Sequence, residues 1–472
     1  MYGIVFDRAS GQSQFRQLVD GLKERIQGGA IGPGEKLAST RDLARSLGLS
    51  RNLVLEAIDQ LKLEGYLETI HGSGTYVREG LVMGVAGRPV ALPSPDPKRR
   101  EGAKALSFVP GPPEVEDFPR RRWIACYSHA VEYADADDLS YTRASGRRDL
   151  RLALQRYLYR VKGIRSVPEQ ILVTSGSSRA FAIVAEALGR PRVAIEDPAA
   201  PFARDVLAAK AGALVPVPVD EEGLLPARLP REFDLCYATP AHQFPTGGVL
   251  PAERRVELVR RAREAGAYVI EDDYDSEYRH DLRPVSPLHA MAPDRVVYVG
   301  SMSKLLSPAI RIGFMVAPPG LLDRARAVAR RWDNGSEGLQ QKALARFIEE
   351  GHFERFLRAR QRRYKKKNLF LLSLIERVLG PAWRVGGAKA GMHIVLYPPE
   401  PEGPGACARI RGELKARGFI VDLVSDYLAD PADAEPYARE GLLVSYARPS
   451  EAELAALIQS IGALLPACAR PC

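Results

Sequence analysis

Six times between residues 171 and 318 the chain returns to a short apolar run rich in β-branched residues: ILVTSG, RVAIED, LCYATP, AYVIEDD, RVVYVGS and IGFMVAP. Stretches with helical spacing lie between them, so the pattern predicts an α/β domain around a mostly parallel sheet. Ligands of such sheets bind beyond the carboxyl ends of the strands, and each run closes on polar or small residues. Candidate functional positions therefore converge on one crevice. At 472 residues the chain exceeds one ordinary core, and a small unit beside the large one is expected.

The small unit lies at the start. Phe15, Leu18, Val19, Leu22 and Ile26 recur at helical spacing until Gly28-Gly29 ends the run. Ser39-Thr40-Arg41-Asp42 reads as a capping box, with Ser39 accepting from the backbone and Asp42 reaching back, ahead of Leu43, Ala44 and Leu47. A turn at Gly48-Leu49 leads to Ser50, an N-cap for a third helix with Val54, Ile58 and Leu61 on its apolar face and Gly65 at its end. Two short helices across a glycine turn make a helix-turn-helix, and Tyr66–Ile70 with Thr75–Arg78 around His71-Gly72-Ser73-Gly74 make a hairpin wing.

In that geometry the third helix enters the major groove at its start, where Arg51 and Asn52 reach base edges or phosphates. Arg41 faces the DNA backbone, and His71 and Gly72 at the wing tip approach phosphates or a minor groove. Residues 1–78 hold ten Lys and Arg against nine Asp and Glu, so the placement of the arginines carries this expectation and net charge does not. The plain alternative is a helical bundle with solvated arginines. The stretch PGEKLASTRDLARSLGLSRNLVLEAIDQLKLEGYLETIHGSGTYV resembles the GntR-type winged helix-turn-helix, with Ala38 where that family usually has proline. The resemblance implies double-stranded operator DNA as partner and Arg41, Arg51, Asn52, His71 and Gly72 as its contacts.

Residues 79–104 hold eight Gly or Pro among 26 and keep no period, which predicts a flexible linker between a head over 1–78 and a domain over 105–472. MYGIVFDRASGQSQF has no basic start followed by an apolar run, and no segment reaches the length of a membrane span, so a cytoplasmic protein is expected. The five cysteines (126, 236, 407, 468 and 472) are scattered, which argues against a disulfide framework or a zinc site. No metal is expected. The formal charge of +9 is compatible with an anionic partner.

In the large domain Thr174-Ser175-Gly176-Ser177-Ser178 follows a strand and opens a helix, so free N–H groups and the helix dipole could meet a phosphate; a plain structural turn is the alternative. EDDYDSEY, after the strand AYVI, could be an acidic metal site or a solvated loop. Ser301-Met302-Ser303-Lys304 ends another strand, and Arg311 lies seven residues on. A lysine there, beside serines and an arginine, suits condensation with a phosphorylated aldehyde. The three segments together supply an amine, a carboxylate for a pyridine nitrogen and donors for a phosphate.

Residues 107–450 resemble a fold type I aminotransferase, and PGPPEVEDFPRRRW, TPAHQFPTG and IEDDYDSEYRHD resemble the MocR-type regulators, which fuse such a domain to a GntR-type head. The resemblance implies pyridoxal 5'-phosphate as cofactor, with Lys304 forming the internal aldimine, Asp272 pairing with the pyridinium nitrogen and Tyr274 bonding the 3-hydroxyl. It assigns Gly176, Ser177, Ser178, Ser301, Ser303 and Arg311 to the phosphate, and Tyr141 to the neighbour's cofactor across a homodimer.

Three positions depart from the aminotransferase pattern. Ala200 stands where an aromatic stacks on the pyridine ring, with Phe202 two residues off; Phe244 replaces an asparagine, leaving Gln243 as a polar substitute; Leu443 replaces the arginine that clamps an amino acid's carboxylate, with Arg448 nearby in sequence. Losing a bidentate clamp weakens an α-amino acid ligand and its orientation. The expected function is a pyridoxal-phosphate-dependent DNA-binding transcriptional regulator that senses the cofactor or an amine and is not a working enzyme. The alternative is an active aminotransferase with a DNA-tethering head. The basic run RFLRARQRRYKKKNLF (355–370) is expected on a helix, as a solvated face or as a second DNA-backbone contact.

Overall fold

The computed structural model describes residues 2–7, 9–80, 105–280, 285–332, 335–399, 405–429 and 440–464. Residues 81–104, which hold most of the expected linker, lie outside the described residues, as do Cys468 and Cys472. The chain divides into two compact units, Met1–Arg100 and Glu101–Cys472.

In the first unit α1 (Gln14–Gln27), α2 (Thr40–Leu47) and α3 (Arg51–Leu63) each follow a serine cap. Ser13, Ser39 and Ser50 accept from the backbone N–H of Arg16, Asp42 and Leu53, each at 3.2 Å. Such a cap satisfies a first-turn donor and contributes about 1 kcal/mol. The expected return bond from Asp42 to the Ser39 backbone is replaced: Asp42 Oδ2 takes the Ser39 hydroxyl at 2.6 Å, its side chain being one methylene shorter than the glutamate of a full capping box.

Gly48 turns the chain between α2 and α3 at φ +68°, a conformation open to glycine at no steric cost. Leu18, Leu22, Leu43, Val54, Ile58 and Leu61 are buried and close the core between the helices. The wing pairs β1 (Leu67–Ile70) antiparallel with β2 (Gly74–Val77). Gly34 and Leu37 also donate to Val77 and Thr75, each at 2.8 Å, so the loop before α2 braces the hairpin.

The second unit is built on one sheet of eight strands: β3 (Ile171–Thr174), β4 (Arg192–Asp197), β5 (Ala213–Asp220), β6 (Gly223–Leu224), β7 (Leu235–Ala238), β8 (Tyr268–Asp273), β9 (Val296–Ser301) and β10 (Gly313–Val316). Their order is β3-β10-β9-β8-β7-β4-β5-β6. β4, β5, β7, β8 and β9 run parallel, while β10 enters antiparallel between β9 and β3. All six apolar runs are strands. Val297 and Val299 face one core and Val296 and Tyr298 the opposite layers, so both faces are covered and the runs read as continuously apolar.

β5 is a strand that the apolar runs do not announce. Pro216 and Pro218 interrupt its row of donors, yet it pairs with β4 along its length, and on its other side only Val219 and Asp220 meet β6. Proline is tolerated at such an open flank. A second sheet, antiparallel and ordered β11-β12-β14-β13, joins Arg384–Gly386 (β11), His393–Tyr397 (β12), Asp422–Leu423 (β13) and Leu442–Ser445 (β14). Leu106–Ser107 pairs in parallel with Phe419–Ile420.

Candidate functional site

Register gathers the anion-binding candidates. Ser301 pairs with Gly313, and Gly313 with Thr174, so β10 aligns the SMSK turn beside the SGSS turn. Gly176 sits at φ +131°, and a side chain on Gly313 would come within 2.7 Å of the Gly176 backbone. Neither position accepts a Cβ. Ser177 and Ser178 open the Ser177–Leu188 helix with its free N–H groups. Ser301 Oγ caps Ser303 N at 3.1 Å. Arg311 adopts φ +50°, uncommon for a residue with a large side chain, and its guanidinium lies 3.8 Å from where a Gly176 side chain would begin.

The same register sets Asp272 beside Val299 on β9, the strand that leads into Lys304. A cavity of about 390 Å³ opens there, with Lys304, Asp272, Tyr274, Phe244, His393 and Ser445 in its wall. Lys304 Nζ donates to the Gly111 carbonyl at 2.6 Å. Burial lowers its pKa against the pull of Asp275 and Asp272, which enlarges the share of nucleophilic free amine. Asp272 is buried and accepts from the Tyr237 hydroxyl at 2.7 Å on Oδ2.

Burial pushes the Asp272 carboxyl up to about 7. Its folded pKa stands above its unfolded value, so the stability it contributes is present at low pH and is lost as pH rises through about 7. Asp272→Asn, which keeps the Tyr237 bond without the charge, should therefore gain stability relative to cofactor-free wild type between pH 5 and 8. The gain should be no steeper than about 1.4 kcal/mol per pH unit in denaturant unfolding. An offset that stays constant with pH would show that Asp272 is already ionised across that range.

Tyr274 leads to a group of histidines. Its hydroxyl lies 2.9 Å from His242 Nδ1, which is also 3.1 Å from Asp275 Oδ1. Both contacts fall on Nδ1, which donates to Asp275 in one tautomer and accepts from the Tyr274 hydroxyl in the other. His393 stacks obliquely on His242 with ring centres 5.2 Å apart and donates from Nε2 to the Pro245 carbonyl at 2.9 Å. Burial pushes the His393 pKa down to about 4, so it faces the cavity as a neutral ring. His242, Asp275, His393, Tyr237 and Gly111 are site residues that pattern reading missed, although all but His393 lie inside stretches quoted above.

Other expected residues lie elsewhere or differ in detail. Tyr141 is 85% exposed and stays outside the cavity of its own chain. Ala200 and Phe202 both line the cavity, so the two-residue offset does not remove the aromatic from it. Gln243 is no polar substitute. Its Oε1 accepts from Thr246 N at 3.0 Å and its Nε2 donates to Pro198 O at 2.9 Å, which ties the amide between its own loop and the turn after β4. Leu443 is fully buried among Val395, Tyr397, Val424 and Tyr427, and Arg448 is exposed and absent from the cavity wall.

In the first unit Arg41, Arg51, Asn52, His71 and Gly72 are all exposed, at the starts of α2 and α3 and at the wing tip. Arg41 and Arg51 have no ion-pair partner among the described residues, whereas Arg45 pairs with Asp42 at 3.5 Å. The basic run falls on the His352–Leu379 helix with Arg358, Arg362, Arg363 and Lys366 exposed. Arg360 is the exception to a solvated face. It is fully buried, pairs with Asp117 and donates to the Glu114 carbonyl at 2.8 Å.

Residues 14–77 match the bacterial regulatory proteins of the gntR family, and residues 123–461 match aminotransferase class I and II. The chain is 32% identical over 417 residues to the HTH-type pyridoxine biosynthesis transcriptional regulator PdxR of Corynebacterium glutamicum, covering 87% of this chain and 88% of the relative. It is 33% identical over 410 residues to the probable rhizopine catabolism regulatory protein MocR of Rhizobium meliloti, covering 83% of each. Among solved structures, the kynurenine aminotransferase of Pyrococcus horikoshii superposes with a TM-score of 0.69 at 22% identity, over 78% of this chain and 92% of that one, which shows the fold. LysN, the alpha-aminoadipate aminotransferase of Thermus thermophilus, does so with a TM-score of 0.65 at 25% identity, over 76% and 92%.

Proposed function

The chain belongs to the gntR family of bacterial regulatory proteins, in the MocR and PdxR kind that carries an aminotransferase class I and II domain, and from this we propose that it binds operator DNA through its head and senses pyridoxal phosphate, or an amine presented to it, at Lys304. The observation that carries this reading is one cavity in which an amine with a lowered pKa, a buried carboxylate and a phenol meet beside a glycine-walled anion cradle. LysN, which shares the fold, has been solved with N-(5'-phosphopyridoxyl)-L-leucine.

The residues fit such a cofactor. Among the described residues Lys304 Nζ is tied only to a backbone oxygen, Asp272 has one oxygen beyond the Tyr237 bond, and a Gly176 side chain would fill the space before Arg311. When bound, the cofactor supplies an aldehyde for amines and a ring that takes up electrons. Asp272 would hold the ring nitrogen protonated, Tyr274 would bond the ring oxygen while His242 fixes the phenol, and Gly176, Ser177, Ser178, Ser301, Ser303 and Arg311 would hold the phosphate. With Leu443 in place of a cation, a ligand carboxylate finds no bidentate partner on the described wall, which favours sensing over transamination.

Two copies would complete two sites, with Tyr141 reaching the neighbour. Exposed Ile124 and Leu139 border a depression of about 570 Å³, with Leu139 two residues before Tyr141 in sequence, an apolar surface suited to a homodimer. Such a protein works in the cytoplasm, where the chromosome is, with residues 1–78 as head, 79–104 as linker and 105–472 as effector domain.

The test is a footprint of the full chain on its own upstream DNA at one fixed salt concentration, with and without pyridoxal phosphate. We expect a protected operator whose pattern or affinity changes with the cofactor by a factor equivalent to about 1–3 kcal/mol. Salt-sensitive non-specific binding should stay the same in both arms. A cofactor-independent footprint would leave the head as a regulator without this switch, and amino-group transfer at enzymatic rates would favour the aminotransferase reading.

A further inference from the structure

One stretch of chain, Pro110–Pro113, runs along the cavity wall and is pinned on both sides. Ahead of it Leu106 N and Phe108 N donate to the Gly418 and Ile420 carbonyls at 2.9 and 2.8 Å, and Phe108 O accepts from Ser445 N at 2.7 Å. Behind it Glu114 N donates to the Tyr364 hydroxyl at 3.0 Å, and buried Arg360 holds both the Glu114 carbonyl and Asp117. Arg360 also donates to the Leu305 carbonyl at 3.2 Å, so the strap and the lysine turn share an anchor. Between these pins the Gly111 carbonyl accepts from Lys304 Nζ at 2.6 Å.

We propose that this strap reads the chemical state of Lys304, held down while Nζ is a free amine and released when Nζ is covalently occupied. The inference rests on the cofactor reading above. Condensation with the aldehyde forms a C=N bond at Nζ, and the aldehyde oxygen leaves as water with two hydrogens from the amine. Counted from the free amine, no N–H then remains on Nζ, so the Gly111 carbonyl loses its donor. An amine ligand that takes the aldehyde carbon from Lys304 passes two protons to Nζ and restores it.

Three prolines, at 110, 112 and 113, fix φ around Gly111. A strap this stiff passes a displacement to its ends rather than absorbing it. The end beyond Asp117 is anchored in the core by Arg360. The other end, at Leu106, is held by the short pairing with Phe419–Ile420 and leads in sequence back to the head. Lys304 chemistry is thus coupled to the point where the chain enters the large unit.

Amide hydrogen exchange on the full chain tests this in residues 105–118. Wild type without cofactor should exchange slowly, and pyridoxal phosphate should raise the rate several-fold. Pyridoxamine phosphate fills the same cavity but leaves Lys304 an amine, so the rate should stay low. Lys304→Met should be fast in every state, and Lys304→Arg, which keeps a donor but cannot form the link, should be slow with and without pyridoxal phosphate. Equal responses to the two cofactors, or wild-type rates in cofactor-free Lys304→Met, would overturn the strap. Absorbance of the same samples separates the two readings. If pyridoxal phosphate gives no Lys304-dependent band, the cofactor reading fails alone, and the cofactor-free comparison still decides the strap.

Discussion

Full-length protein mixed with pyridoxal phosphate and freed of excess should show an aldimine absorption band, and Lys304→Ala treated in the same way should lack it. The loss should be complete. The free aldehyde is itself yellow, but the aldimine band requires a C=N link, and Lys304 is the amine in the wall of the cavity that Asp272 and Tyr274 also line. Burial keeps a larger share of that amine unprotonated than on an exposed lysine. The variant should fold, because truncation gives up one bond, to the Gly111 carbonyl, and removes a half-buried amine whose charged form burial disfavours. Thermal unfolding of both proteins checks this. A wild type without that band, or an equal band in the variant, would remove Lys304 from the chemistry.

Arg51→Ala should weaken operator binding by about 1–3 kcal/mol, the value of a good bidentate base contact, and leave the aldimine band unchanged. Arg51 is the first residue of α3 and is exposed without an ion-pair partner among the described residues. The Ser50 cap and the Val54, Ile58 and Leu61 core do not depend on it, so the unfolding midpoint of the head should hold. The comparison belongs in competition against non-operator DNA at one salt concentration, since a phosphate contact would be lost equally on both sequences and a base contact on the operator alone. Unchanged operator affinity would take Arg51 off the recognition surface.

The elements that sequence made legible are those with a local cause. Six continuously apolar runs became six strands because a sheet covered on both faces needs them, and the three serine caps announced the helices of the head. Lys304, Asp272 and the SGSS turn could be picked out because each ends a strand, and strand ends meet at one edge. What stayed hidden depends on contacts between distant segments. β5 was obscured by Pro216 and Pro218, whose lost donors matter only if the outer flank is paired. His393 entered the site because β12 pairs with β14, and Gly111 because the chain returns past the cavity. Arg360 looked like one more charge in a basic run, and only its partners, Asp117 and the Glu114 carbonyl, distinguish it from its exposed neighbours.

Gly176 and Gly313 press backbone on backbone where the anion cradle is formed. The shape of that cradle is therefore written in main chain, and substitution of nearby side chains such as Ser177 or Ser178 leaves it standing. The cavity wall around Lys304 is written in side chains, with His393, Ser445, Phe244 and Met392 on it. The two thus differ in how freely they can drift. A lineage of such proteins can exchange one small-molecule signal for another by a few substitutions at the second, while the first continues to hold the same group. A chain that loses either glycine loses both uses at once, because no compensating side chain can restore a close approach of two backbones.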